Sequence, residues 1–270
     1  MQTIQPKKSL GQNFLIDKNI SRKIVSLLDI SINDITMEIG PGTGALTELL
    51  LEYKPQLTAI EIDKRAFDLL HEKFPPEIFT NFSLVHSDIR DFDISSLYNE
   101  QKIKSIGNIP YYISADILFR LFENSKILER TIIMVQKEVA KRIVSQPNTK
   151  DYGILGVAAG FVADSKIMFD VPGTCFYPRP NVTSSVVKIQ YANHLPDEIE
   201  FSAIMKFVKA AFSQRRKTLK NSLKQYFAGI RNFDAVDFEK SHEQILQKRA
   251  EALCVNDFIT LYQDLTGQQK

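Results

Sequence analysis

Short apolar runs alternate with amphipathic stretches through the first two thirds of the chain. Residues 35–39, 57–62, 82–86, 105–109 and 131–136 are rich in Ile, Leu and Val and bounded by turn residues, which predicts strands. Between them, residues 45–53, 65–74 and 115–122 repeat apolar positions at helical spacing, and residues 17–28 do so ahead of the first strand. Strand and helix in alternation predict an α/β fold, a doubly wound Rossmann-like parallel sheet with helices on both faces. Such a sheet binds its ligand beyond the carboxyl ends of its strands, so the strand ends are where chemistry is sought. After Tyr152 the texture changes. Residues 166–171 and 182–189 predict two later strands around a Pro-rich loop from Val171-Pro172 to Pro180, and from Phe201 onward the pattern is helical. The acidic segment Pro196 to Glu200 marks a boundary, giving an arm and α/β domain over 1–195 and a small α-helical domain over 196–270.

Three strand ends carry candidate chemistry. Glu38-Ile39-Gly40-Pro41-Gly42-Thr43-Gly44 leaves the first strand and opens a helix, and its glycines let a backbone approach a ligand closely. The G-x-G-x-G spacing departs from the dinucleotide fingerprint, and Pro41 removes an N–H that would otherwise face a pyrophosphate, which disfavours NAD. Glu61 ends the second strand, where a carboxylate can accept from both ribose hydroxyls; Asp88, just past the third, can accept from an adenine amino group. Residues 29–100 carry 14 acidic side chains against five basic ones, a field that suits a cationic ligand such as S-adenosylmethionine.

Asn108-Ile109-Pro110-Tyr111 follows the fourth strand at the same edge. An adenine amine is a poor nucleophile because its lone pair is delocalised into the ring. Two acceptors that take both of its N–H groups expose that lone pair to an in-line attack on a methyl group. The Asn108 side-chain oxygen and the Ile109 carbonyl can be those acceptors, while Pro110 holds Ile109 extended. Tyr111 can stack on the base, with Phe176 of the Pro-rich loop available for its other face or edge. The base must then be single-stranded or flipped out of a duplex.

Composition excludes several classes. At 44% hydrophobic and 24% charged, the 270-residue chain is globular. Its longest apolar run, residues 154–163, contains two glycines and falls short of the ~20 residues a bilayer span needs. The first 20 residues lack the apolar core of a secretory signal, and Cys175 and Cys254 stand outside any C-x-x-C, so a soluble cytoplasmic protein is expected. His71, His86, His194 and His242 show no metal-ligand spacing, and no serine sits in a nucleophile elbow. The net charge of +2 conceals a strong segregation: residues 201–231 carry eight cations and no anion, and residues 1–28 carry five cations and one anion. These are candidate phosphate-binding faces.

Taken together, Lys7-Lys8-Ser9-Leu10-Gly11-Gln12-Asn13-Phe14-Leu15, the glycine loop from Glu38 to Thr47, Ala59 to Asp63, Asp88, Gly107 to Ser114, Phe176 to Ser184 and Phe212 to Leu223 resemble the small-subunit ribosomal RNA adenine N6,N6-dimethyltransferases, the family of the bacterial kasugamycin-sensitivity methyltransferase. The resemblance runs through most of the chain. It implies S-adenosylmethionine contacts at Asn13, Leu15, Gly40, Glu61, Asp88 and Asn108, with Gly42 in the same loop. It also implies two methyl transfers to each of two adjacent adenines in a hairpin loop near the 3′ end of the small-subunit RNA. A partly assembled particle rather than naked RNA is the expected substrate and a monomer the expected state, though the residues themselves decide neither, and no metal is expected. Lys7, Lys8, Arg215, Arg216, Lys217 and Lys220 are the cations expected on RNA. Tyr112 departs from the many relatives that carry Asn after the tetrad. A related enzyme that dimethylates large-subunit RNA shares the tetrad, but Gln214-Arg215-Arg216-Lys217-Thr218-Leu219 resembles the small-subunit group. Intact Glu61, Asp88 and Asn108 favour catalysis over a purely binding role.

Overall fold

The computed structural model describes residues 4–7, 10–214, 216–230 and 233–267. Its strands are β1 (Phe14–Leu15), β2 (Ile35–Ile39), β3 (Gln56–Glu61), β4 (Phe82–His86), β5 (Ile103–Asn108), β6 (Leu128–Gln136), β7 (Ala163–Val171), β8 (Phe176–Tyr177) and β9 (Ser184–Tyr191). Seven of them form one sheet in the order β4-β3-β2-β5-β6-β9-β7. The pairs from β4 through β6 are parallel, and β9 runs antiparallel to β6. All five positions of β2 are buried, as expected for a strand covered on both faces.

From β2 the chain moves outward to β3 and β4, then returns across β2 to β5. The strand order therefore reverses between β3 and β5, and the carboxyl ends of β2, β3 and β5 frame the crevice where such sheets hold ligands. Ile39 pairs with Gly107 across β2 and β5, and a Cβ on Gly107 would lie 2.8 Å from the Ile39 carbonyl. Only glycine permits that approach, and the residue after it is Asn108.

The helix before the sheet spans Lys18–Ser26, with Asp17 accepting from the Asn19 and Ile20 N–H groups as its N-cap. The sequence predicts the next helix over 45–53; it is shorter, Thr47–Leu51, because the preceding residues turn through the glycine loop. Leu50, Leu57, Ala59, Leu70, Ile106 and Ile132 belong to one apolar core that covers the sheet.

The described chain forms two compact units, residues 1–140 with 164–192 and residues 141–163 with 193–270. The sequence boundary at 195 divides the chain differently, because residues 141–163 cluster with the C-terminal helices. In that second unit the apolar run forms the helix Ile154–Val162, where a Cβ on Gly160 would lie 2.6 Å from Val255. The Tyr152 hydroxyl donates to the Leu253 carbonyl at 2.8 Å. Phe207, Phe212 and Phe258 pack as an aromatic cluster, while Lys206, Arg216, Lys217, Lys220 and Lys224 are exposed. Among the described residues, no helix is long and apolar enough to cross a membrane.

Candidate active site

The glycine loop leaves β2 with Gly40, Gly42 and Gly44 all at positive φ (64°, 57° and 83°), the left-handed region that glycine enters without a Cβ clash. Glu61, at the end of β3, is only 4% exposed. Its two oxygens accept from the Gly42 N–H at 2.9 Å and the Asp63 N–H at 2.8 Å. Burial raises its carboxyl pKa, against the pull of those backbone hydrogen bonds. Asn108 ends β5, and its side-chain nitrogen donates to the Asn13 carbonyl at 3.0 Å. That leaves the side-chain oxygen as the acceptor end of the amide.

The structure brings Asn13, Leu15, Gly40, Gly42, Glu61, Asn108 and Pro110 to the wall of one pocket, together with Gln12, Phe14 and Glu38. The arm reaches this wall because β1 pairs antiparallel with β8, Leu15 opposite Phe176. A Cβ on Gly42 would lie 3.0 Å from the Phe14 ring, so the loop glycine also admits the arm. A groove beside the pocket is lined by Tyr111, Gln136, Tyr177, Arg179 and Val182, and it shares Gln12 and Asn13 with the pocket. The Tyr111 hydroxyl shares a 2.7 Å hydrogen bond with Ser184 Oγ, which fixes the ring at the groove wall.

Two expected residues stand apart from this pocket lining. Asp88, just past β4, forms an ion pair with Arg90 at 2.6 Å through its carboxylate, which also accepts from the Arg90 N–H. The Arg90 side-chain hydrogen bond holds its pKa down. Phe176 is 3% exposed and packs with Leu15 and Val171 in the core, so it presents no face to a base. Exposing such a side chain costs roughly 2–3 kcal/mol. Its neighbour Tyr177, 56% exposed, lines the groove instead. Ile109 is buried, which anchors the backbone between Asn108 and Pro110.

Of the expected RNA-contacting cations, Lys8 and Arg215 lie outside the described residues. Arg216 and Lys217 are exposed. Lys220 pairs with Glu239 at 2.9 Å, and Lys7 lies 3.9 Å from the Asp63 carboxylate.

Sequence reasoning missed three features. Tyr177 stands next to the residue chosen. Ile62, next to Glu61 at the strand end, is a large apolar side chain left 42% exposed. Asp63 accepts from Arg65 and Gln12; burial opposes its charged form, but these hydrogen bonds prevail and hold its carboxyl at about 2. The carboxylate-rich strand end was the signal for it.

Glu38 gives a pH prediction. Buried at the end of β2, it accepts from the Thr47 hydroxyl at 2.7 Å, and burial pushes its carboxyl up to about 8. The raised value favours the protonated form in the folded state. The stabilisation this gives is present below the ordinary carboxyl pKa of about 4.5 and is lost as pH rises from there through about 8. Glu38→Gln is expected to flatten the decline in melting temperature over that window. An unchanged pH dependence of the melt would show that Glu38 ionises normally.

The profile of the family described as Ribosomal RNA adenine dimethylase matches residues 4–263. The chain is 45% identical over 221 residues to the ribosomal RNA small subunit methyltransferase A of Mycoplasma mobile, covering 82% of this chain and 84% of that protein. It is 41% identical over 259 residues to the protein of the same name from Prosthecochloris aestuarii, covering 96% and 94%. Among solved structures, a dimethyladenosine transferase from Plasmodium falciparum shares the fold with a TM-score of 0.80 at 24% identity, over 95% of this chain and 98% of that one.

Proposed function

The chain belongs to the ribosomal RNA adenine dimethylase family and is an S-adenosylmethionine-dependent ribosomal RNA adenine N6,N6-dimethyltransferase; from that premise we propose that its targets are two adjacent adenosines in the 3′-terminal hairpin loop of small-subunit RNA, each methylated twice. The observation that carries the reading is Asn108 on the pocket wall, its nitrogen already engaged by the carbonyl of Asn13, a residue that lines both the pocket and the neighbouring groove.

S-adenosylmethionine supplies the methyl group from a sulfonium centre and leaves as S-adenosylhomocysteine. The residues present fit it. Glu61 is a buried carboxylate with lone pairs beyond those its two backbone donors use, suited to ribose hydroxyls. Gly40 and Gly42 let the loop approach closely, and Asn13 and Leu15 close the arm side. We assign the cofactor to these residues, with Asp88 just past the end of β4 proposed for the adenine amino group. The target base enters by the groove, where Tyr111 and Tyr177 supply aromatic faces. In the first transfer Asn108 Oδ1 and the Ile109 carbonyl accept the two N–H groups of the amine; in the second the monomethylated amine offers its one remaining N–H to one of them. Each methylated nitrogen is positively charged and strongly acidic and sheds its proton to solvent, so no strong general base is required.

The RNA around the target meets the exposed cations of the C-terminal unit. Neutralising Arg216 and Lys217 together is expected to weaken RNA binding and to lower the slope of log affinity against log salt by roughly 1.4–1.8, one phosphate contact each. Affinity measured across a salt series checks this, and an unchanged slope would leave those cations off the RNA. A partly assembled small subunit is the preferred substrate in this reading, with higher turnover than naked RNA as the observable.

A further inference from the structure

The arm is tied to the residues that follow β3 by hydrogen bonds to Asp63 and Arg65. Gln12 Nε2 donates to Asp63 Oδ2 at 2.9 Å, and Gln12 Oε1 accepts from the Lys7 N–H at 3.0 Å. Arg65, which also binds Asp63, donates to the Gln5 carbonyl at 2.8 Å. The Asp63 side chain is 1% exposed, a buried charge whose partners come partly from the arm. The residue after Gln12 is Asn13, whose carbonyl receives Asn108 Nδ2 at 3.0 Å, while its own side chain donates to Gly11.

A primary amide presents a donor end and an acceptor end that exchange on a half-turn about its last torsion. Only one orientation offers Asn108 Oδ1 to a substrate amine, and the Asn13 carbonyl selects it by binding the nitrogen. That selection is only as good as the placement of Asn13. From this geometry we infer that Gln12 and Asp63 are a positioning pair for methyl transfer: their contact fixes the arm so that Asn13 holds the Asn108 amide with its oxygen toward the substrate. The inference rests on the reading that Asn108 Oδ1 accepts from the amine. Neither Gln12 nor Asp63 supplies an acceptor to that amine.

The test exchanges the two groups in the full-length protein. Gln12→Glu sets two carboxylates against each other, and Asp63→Asn leaves two amides without the charge that strengthens the contact. The double variant Gln12→Glu, Asp63→Asn restores an amide-to-carboxylate hydrogen bond with donor and acceptor reversed. Each single variant is expected to lower kcat about tenfold at saturating RNA and S-adenosylmethionine, with KM for RNA within about twofold; the double variant recovers most of the loss. Calorimetry with S-adenosylmethionine alone is expected to follow the same pattern, because Gln12 and Asn13 also line its pocket. Folded single variants with wild-type kcat and wild-type cofactor affinity would overturn the inference, as would a double variant no better than the product of the singles. Failure of the acceptor reading has a different signature: Asn108→Ala with normal turnover, whatever the Gln12–Asp63 cycle shows for cofactor affinity.

Discussion

Asn108→Ala is expected to cut methyl transfer to ribosomal RNA by about a hundredfold or more while RNA affinity stays within about twofold. The adenine amine gains nucleophilic character only as its nitrogen leaves the plane of the ring, and the acceptors that stabilise that shape act in the transition state. Interactions made more strongly there appear in kcat. A single preorganised hydrogen-bonding group aimed at a transition state typically accounts for about 10²–10³ in rate, and Asn108 is preorganised by its bond to Asn13. Asn108→Asp keeps an acceptor but turns a carboxylate oxygen toward the Asn13 carbonyl, so only a fraction of the activity is expected to return. Single-turnover rates with saturating RNA, set beside direct binding, separate the two steps. Unchanged turnover in Asn108→Ala removes the side chain from the chemistry.

Glu61→Ala is expected to weaken S-adenosylmethionine binding by about 10–100-fold, as the loss of hydrogen bonds to a charged group implies. Two consequences combine. The ribose loses its acceptor, and the buried N–H groups of Gly42 and Asp63 lose theirs, each at a cost of about 1–3 kcal/mol. The first lowers affinity; the second lowers the melting temperature and loosens the glycine loop. Glu61→Gln retains one acceptor oxygen and the side-chain shape, so it is expected to keep most of the stability while still binding the cofactor more weakly. Calorimetry paired with thermal melts distinguishes these effects. Normal affinity in Glu61→Ala would place the ribose elsewhere.

The sheet was legible because its strands are short segments rich in Ile, Leu and Val between turn residues, although β2 also buries the polar Thr36 and Glu38 at all-buried positions. The glycine loop and the carboxylates at strand ends were legible because a parallel sheet has few places to put a ligand. What escaped the sequence lacked periodicity. β1 and β8 are two residues each, too short to show alternation, so which of Phe176 and Tyr177 faces the groove is decided by pairing with the arm. The helix Ile154–Val162 is apolar on every side, and a buried helix without a polar face gives no 3.6-residue signal. Asp88 and Arg90 are two residues apart, and only coordinates show that the arginine turns back onto the carboxylate. The Gln12–Asp63 contact joins residues 51 apart in sequence and has no local signature at all.

The most direct measurement is transfer of labelled methyl groups to unmethylated small-subunit particles, naked small-subunit RNA and large-subunit RNA, with the modified nucleosides mapped by mass spectrometry. The result expected is N6,N6-dimethyladenosine at two adjacent positions in the 3′-terminal hairpin loop of the small-subunit RNA. Modification confined to large-subunit RNA would contradict it.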